Sequence, residues 1–434
     1  MARKSKKLNE LCVLFEENNI TAKTIEDNDE VIYELKKRAQ TINDSRHSSY
    51  VRHLLEDIVL TTIFAIFANA NEWSDIESFA KKKEKWLRKY LELPYGIPSD
   101  DTFRIVIGSI ETSRFYSVVV SYLMELIDGV LKMSFKKEED FERDVIAVDG
   151  KESSGSKRKE TDRKAVKALR TLNVFSNSYR MCLGQIFIDE KTNEIPAAQE
   201  ILKLIDLKGS IVTCDALNTQ KKTARIVRGG KGDYVFALKG NHSLFYEEVV
   251  QFFSEDVLDE IKKEKGYYET REKEHSAFVV REYYITSDVG WYAEETKWKD
   301  LRSFGMVRKT TKKKNGETVV EDRHYICSIE GNDAELFEHA VRDHWGVENL
   351  LHWHLDFTFQ DDKNTSMERT GAKNLQIMKK IVLSMLNIVK ASYKMSLKRI
   401  RYEVSLDYEN GIEKLFSLMS LESIKKHCNQ TDKK

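Results

Sequence analysis

The chain has 434 residues and a mass of 50.6 kDa, enough for two to four ordinary domains, and its 33% charged and 41% hydrophobic residues with only 3 prolines exclude low-complexity and collagen-like classes. Lysine plus arginine (71) equal aspartate plus glutamate (71), so a nucleic-acid partner would have to be held by local basic patches and not by a global field. The five cysteines are scattered without a CxxC pair, which points to a reducing compartment and away from a disulfide framework or a cysteine zinc site.

In chain order, the basic start MARKSKK is followed by LNELCVLFEENN, which Asn9, Glu10, Glu16 and Glu17 interrupt before a signal-peptide core can form. The longest apolar run, Ile58 to Ala68, is short of the ~18 residues of a membrane span and reads as a buried helix of a cytoplasmic, non-membrane protein. From Arg46 to Leu93 apolar residues recur at helical steps (Leu54, Ile58, Ile63, Phe67, Ile76, Phe79, Trp86). LPYGIPSDDTF stops that run, and Ser99 with Asp100 caps a further helix expected to reach about Met133. The reading is a helical N-terminal domain over 1–135, an accessory module suited to DNA-end binding.

Beyond the charged stretch FKKEEDFERD, the runs DVIAVDG, LNVFSNS and RMCLGQIFID predict three strands, followed by a helix from about Ile195, the strand SIVTCDA, the helix TQKKTARIVRGG and the strand DYVFALK. This is a mixed α/β sheet, the first part of a core over 136–268. FVVREYYITSD, RSFGMVRKT and RHYICSIE predict an all-β insertion over 269–332, and helical periodicity returns over 333–434 to complete the core.

Asp149 is expected at the carboxyl end of a buried strand, where open α/β sheets place their sites, although it also reads as the start of an Asp-Gly turn. Asp215 ends a second buried run, and there it also reads as a helix N-cap. Two aspartates on neighbouring strand ends call for a cation, which makes a hard-metal site the joint reading. In RDHWGVENLLHWHLDFTFQDD, His344, Glu348, His352 and Asp356 follow at four-residue steps along one helix face. That face reads as site, as a solvated charged face, or, through His344 and His352, as a zinc site.

VIAVDGK, GQIFIDEKTNEIPAAQEILKLIDLKGSIVTCDALNTQK, GGKGDYVFALKGNH and RDHWGVENLLHWHLDFTFQDD, with RHLLEDIVLTTIFAIFANANEWSDIESFA and GIPSDDTF upstream, resemble successive blocks of the H-repeat-associated, ISAs-type insertion-sequence DDE transposases, from about Arg46 to Lys390. The resemblance departs at Ala168–Thr171, at His242 and after Asp362, none of which touches the acidic residues. It implies a ribonuclease-H-like core with a β insertion, preceded by the helical domain. It puts the catalytic, metal-holding triad on Asp149, Asp215 and Glu348. It further implies two Mg2+ ions, replaceable by Mn2+, cleavage of double-stranded DNA at transposon ends and strand transfer into target DNA by a homodimer, with the protein cytoplasmic and on the nucleoid when bound. Lys151, Lys239, Asn241, Arg342, His344 and His352 are the expected DNA contacts, with further basic loops at 157–164 and 308–314. The rival readings are a domesticated DNA-binding protein and a metal-dependent nuclease without strand transfer.

Overall fold

Apolar residues at three- and four-residue steps wind the N-terminal segment into α1 (Asn28–Gln40), α2 (Leu55–Phe67), α3 (Trp73–Leu87) and α4 (Asp100–Ser109). The computed structural model describes residues 11–13, 28–111, 113, 116–117, 143–157, 167–188, 193–274, 277–292, 297–363, 369–390, 393 and 395–419. α2 is apolar on every side and is buried almost completely, as such a helix must be. Ser99 caps α4 by accepting from the Thr102 N–H, but α4 ends by Ile110, and residues 118–142, where it was expected to run on, lie outside the described residues. α1 was not anticipated, because its charged sequence hides a stripe of Val31, Ile32, Leu35 and Ala39.

Ten strands form one sheet in the order β1-β4-β3-β2-β5-β6-β10-β9-β8-β7. They are β1 (Leu11–Val13), β2 (Val145–Ser153), β3 (Leu169–Ser176), β4 (Met181–Ile188), β5 (Ile211–Cys214), β6 (Asp233–Leu238), β7 (Tyr267–Glu274), β8 (Ala277–Thr286), β9 (Ser303–Lys312) and β10 (Thr318–Cys327). β2, β5 and β6 are parallel, linked through α5 (Glu194–Leu202) and α6 (Lys221–Gly229), as parallel neighbours require. After α7 (Ser243–Phe252) and α8 (Glu255–Lys263), the strands β7 to β10 are antiparallel and lengthen this same sheet, with β10 pairing β6 from His324↔Leu238 to Cys327↔Val235. The expected β-rich segment therefore grows from the edge of the core sheet, and it holds four strands where the sequence suggested three. β7, with its run of Glu, Arg and Lys, lacks the apolar alternation that betrays a strand.

α9 (Ala334–His344) crosses the sheet beside β2, β5 and β8, and the long α10 (Arg369–Lys390) packs between the N-terminal helices and β4. α11 (Leu397–Leu406) and α12 (Tyr408–Leu418) close the helical layer. Arg401 of α11 is fully buried and donates to the carbonyls of Ile66, Ala70 and Thr358, satisfying the open end of α2. Among the described residues no helix is long and apolar enough to cross a membrane. Cys182, Cys214 and Cys327 are buried free thiols.

Candidate active site

β2 and β5 are paired from Val145↔Ile211 to Val148↔Cys214, and the next residue on each strand is an aspartate. Asp149 and Asp215 thus stand side by side on backbones about 5 Å apart. Asp215 Oδ1 accepts from both the backbone and the side-chain N–H of Asn218, at 3.1 Å each, and so holds the turn after β5. α6 starts only at Lys221 with Gln220 as its N-cap, so the helix-capping alternative is not realised and the carboxylate lines a cavity. The Asp-Gly turn expected at Asp149 does not form. β2 runs on to Ser153, with Gly150 and Lys151 opposite Leu172 and Thr171, since β3 still offers a partner after β5 has ended.

The third segment follows α9. After Trp345 the chain winds in wider π-helical turns, Val347–His352 and His354–Thr358, a geometry that recurs at functional sites. Gly346 allows the close approach, since a Cβ there would lie 1.8 Å from Asn177 Oδ1. An α-helix turns 100° per residue, so every fourth residue drifts by about 40°. The wider turns take up that drift and keep the four-residue stripe facing the sheet. His344 Nδ1 is 3.0 Å from Thr213 Oγ1, Glu348 lines the cavity, His352 Nδ1 is 3.5 Å from Asp149 Oδ2, and Asp356 accepts from Lys151 Nζ at 2.5 Å.

The cavity is about 420 Å³ and is lined by Asp149, Asp215, Glu348, His344, Trp345 and Lys239, among others. Burial, together with the charges of Asp215, Glu194 and Glu348, pushes the Asp149 carboxyl up to about 7 against an opposing hydrogen bond from the Gly150 N–H. Among the described residues no lysine or arginine forms an ion pair with Asp149, Asp215 or Glu348. Also among the described residues, no three His, Cys, Asp or Glu side chains are gathered closely enough to enclose a metal ion by themselves.

One acidic neighbour escaped the sequence. Glu194, the first residue of α5, accepts from Asn218 Nδ2 at 3.1 Å and faces Arg170 at 3.6 Å. With Asp149 and Asp215 it lines a second cavity, of about 230 Å³, on the other side of the aspartate pair. Burial and the Asp215 charge raise its pKa. The signal that could have found it is a glutamate opening a helix directly after the third strand, but from sequence it is indistinguishable from a favourable helix-start charge.

The residues expected at DNA lie as follows. Lys239 is exposed at the rim of the large cavity. Asn241 Nδ2 donates to the Ala216 carbonyl at 2.6 Å and ties its loop to the turn after Asp215. Lys151 is buried on Asp356, and Arg342 forks onto Glu272 at 2.8 and 3.2 Å beside an adjoining cavity of about 340 Å³. His344 is half-buried and His352 buried, and desolvation pushes their pKa values down to about 4 and about 3, so both imidazoles are neutral near neutral pH. Their hydrogen bonds go to different partners, Thr213 and Asn173, and not to one shared centre. Arg308 is paired with Asp322 and Glu255, and the basic residues Arg158, Lys159, Arg163 and Lys164 lie outside the described residues.

Comparison with known proteins agrees with this arrangement of segments. The family model "Transposase DDE domain" matches residues 140–385, and a second, "DDE_Tnp_1-associated", matches 37–123. YncI of Escherichia coli O157:H7 is 32% identical over 372 residues, spanning 84% of this chain and 90% of that protein. The H repeat-associated YhhI of E. coli K12 is 31% identical over 384 residues, 86% of this chain and 96% of its own length, and both relatives carry the name transposase. Among solved structures, the synaptic complex of piggyBac transposase with hairpin DNA matches with a TM-score of 0.38 and 12% identity over 93% of this chain and 82% of that one. A family model spanning more than half of the chain, and relatives matching along nearly their whole length, show that this chain belongs to the DDE transposases, in their insertion-sequence, H-repeat-associated branch.

Proposed function

We propose that the chain cuts double-stranded DNA at the ends of its own mobile element and joins the freed 3′ ends to target DNA, with Asp149, Asp215 and Glu348 as the catalytic carboxylates. The observation that carries this reading is the convergence of three carboxylates from three distant segments on one cavity, with no basic side chain among the described residues paired to them. The strand order β4-β3-β2-β5-β6, three antiparallel strands followed by two parallel ones, supports a ribonuclease-H-like core for residues 136–268 with the helices after 333 completing it, and β7–β10 as the inserted segment.

The donor set fits Mg2+, which prefers carboxylate oxygen. Magnesium ordinarily takes only one or two protein carboxylates and completes its shell with water and substrate phosphate. Carboxylates spread around an open cavity, too far apart to form a closed cage, suit such an ion, and the pKa of Asp149, raised by burial and then by its acidic neighbours, is a cost that a cation would relieve. Asp149, Asp215 and Glu348 would hold it, and Mn2+ would substitute. A bound pair of such ions supplies an activated oxygen nucleophile and stabilises the leaving oxygen. The chain's own part is to fix the carboxylates, with Asn218 orienting Asp215 and the π-helical turns carrying Glu348, and to offer Lys239 at the rim to a phosphate. Bringing two element ends to one target calls for two active sites, so the working form is a homodimer on DNA, at the nucleoid in the cytoplasm. The helical segment up to 135 is assigned to reading the ends.

Incubating the purified protein with its element's end sequences and Mg2+ tests the reading: a 3′ nick and a joined product are expected. Nicking without joining leaves a nuclease, and binding without nicking in either Mg2+ or Mn2+ sinks the catalytic assignment. A chain beginning near Lys136 should lose its preference for the ends in competition gel shifts.

A further inference from the structure

Behind Asp149 runs a line of buried polar groups whose donors and acceptors fit in only one order. Lys380 of α10 has its Nζ 2.6 Å from Asn173 Oδ1 and 2.5 Å from Gln185 Oε1, with all three residues buried between α10 and the sheet. An ammonium only donates, so it fixes the carbonyl oxygen of Asn173 towards itself. The Asn173 amide nitrogen must then face the other way, and it lies 3.0 Å from His352 Nε2. An amide N–H donates, so Nε2 accepts. The neutral imidazole therefore carries its single proton on Nδ1, the nitrogen 3.5 Å from Asp149 Oδ2.

We infer that His352 is a positioning residue whose Nδ1–H holds the Asp149 carboxylate, and that Lys380 and Asn173 serve to set this tautomer. The consequence for metal holding rests on the proposed function, but the tautomer itself does not. The reading also revises the role expected for His352. Buried beside Asp149, bonded through Nε2 to Asn173 and with Nδ1 3.5 Å from the carboxylate, it acts through the carboxylate and not on DNA. A cationic imidazole at this position would neutralise the charge that a metal needs. Because Nε2 accepts from Asn173 it carries no proton, so the ring is neutral and orients the carboxylate without cancelling it. Outer partners of this kind commonly account for 10- to 100-fold in metal affinity or activity.

The decisive variant is Asn173→Asp. It is nearly isosteric and can still accept from Lys380, but in place of the amide donor it presents an acceptor to His352, which draws the ring proton to Nε2 and leaves a lone pair facing Asp149. The readout is the histidine ring 15N spectrum of the full chain without DNA, with the His352 signals identified by their loss in His352→Gln. The wild type should show the proton on Nδ1, and Asn173→Asp should show it on Nε2. A wild-type proton on Nε2, or a ring in Asn173→Asp that stays protonated on Nδ1 alone with Nε2 bare, overturns the inference.

A second measurement follows Mn2+ binding to the DNA-free protein by water-proton relaxation. His352→Asn, whose amide can reach the place of Nδ1, should bind within a few-fold of wild type, while His352→Gln and Asn173→Asp should bind roughly 10- to 100-fold more weakly, with the KM for DNA unchanged. Equal loss in His352→Asn and His352→Gln, with both folded by circular dichroism, rejects the role at Nδ1. If the wild type binds no Mn2+ while the tautomers behave as stated, the metal reading of the site fails and the tautomer assignment stands.

Discussion

In the antiparallel half of the sheet acidic groups come with their cations. Glu272 and Glu274 share Arg281, Arg342 forks onto Glu272, Lys309 approaches Glu274, and Arg308 joins Asp322 to Glu255. At the parallel centre, Asp149, Asp215 and Glu348 face one cavity, and burial together with its acidic neighbours raises the pKa of Asp149. Both regions are charge-rich in sequence, and only pairing separates them. Glu274 is held below its usual pKa by its hydrogen bond from Arg281, and these paired carboxylates need nothing further. The central ones have no basic partner among the described residues, and a carboxylate with a raised pKa in a cleft is the mark of a candidate site.

The strongest way to break this contrast is to remove one central charge. Asp149→Asn should reduce Mg2+-dependent cleavage on the order of 10³-fold while leaving DNA binding in gel shifts nearly unchanged. In the metal-free protein the same change should raise the melting temperature at pH 8, because it removes repulsion. Near wild-type nicking by Asp149→Asn, Asp215→Asn and Glu348→Gln alike would erase the distinction between the two regions.

A second test moves the segment without touching its charges. Gly346→Ala puts a methyl group where Asn177 now lies, so the π-helical turns must shift. A displacement of about 1 Å should lower cleavage on the order of 10²-fold, with a stability loss of about 1–3 kcal/mol. Full activity would show that the close approach is incidental.

The third test uses pH. Because the folded-state pKa of Asp149 is raised to about 7, the folded protein binds more protons than the unfolded chain between about pH 4 and pH 7. Metal-free stability contributed by this group is thus fully present below about pH 4 and is lost as pH rises through about 7, on the order of 2–4 kcal/mol in all. Urea titrations of wild type and Asp149→Asn should converge as pH falls through that range, because wild type gains stability that the variant, lacking this slope, does not. Parallel curves would place Asp149 at an ordinary pKa.

The smallest effect belongs to the paired region. Arg308→Ala should cost about 1 kcal/mol in urea denaturation, the value of a partly exposed bidentate pair, and should leave the cleavage step unaltered. A large loss of cleavage in this variant would assign the antiparallel strands to the reaction or to DNA.

Much was legible from local pattern alone. The runs VIAVD and SIVTC are apolar enough to declare central strands, the segments between them are periodic enough to declare crossover helices, and Ser99 announces its helix by the hydroxyl it offers. These features depend on neighbours a few residues away, so the amino-acid sequence by itself determined them; the pairing of β2 with β5 that sets Asp149 beside Asp215 it left to the fold.

Only the tertiary structure decided what those residues touch. That β2 outlasts β5 and keeps Gly150 in a strand depends on the length of β3, and that β7 is a strand depends on β8 beside it. Lys151, Arg342 and His352 look like solvent-facing DNA contacts in sequence, because a polar side chain near a site carries no mark of its direction. Each instead meets a partner at least 70 residues away, Asp356, Glu272 and Asn173. Glu194 joins the aspartates only because α5 begins against the turn after β5. Hydrogen bonds and charges act over a few ångströms of space, whereas sequence pattern records only proximity along the chain. The elements could therefore be read in advance, and the wiring of the site could not.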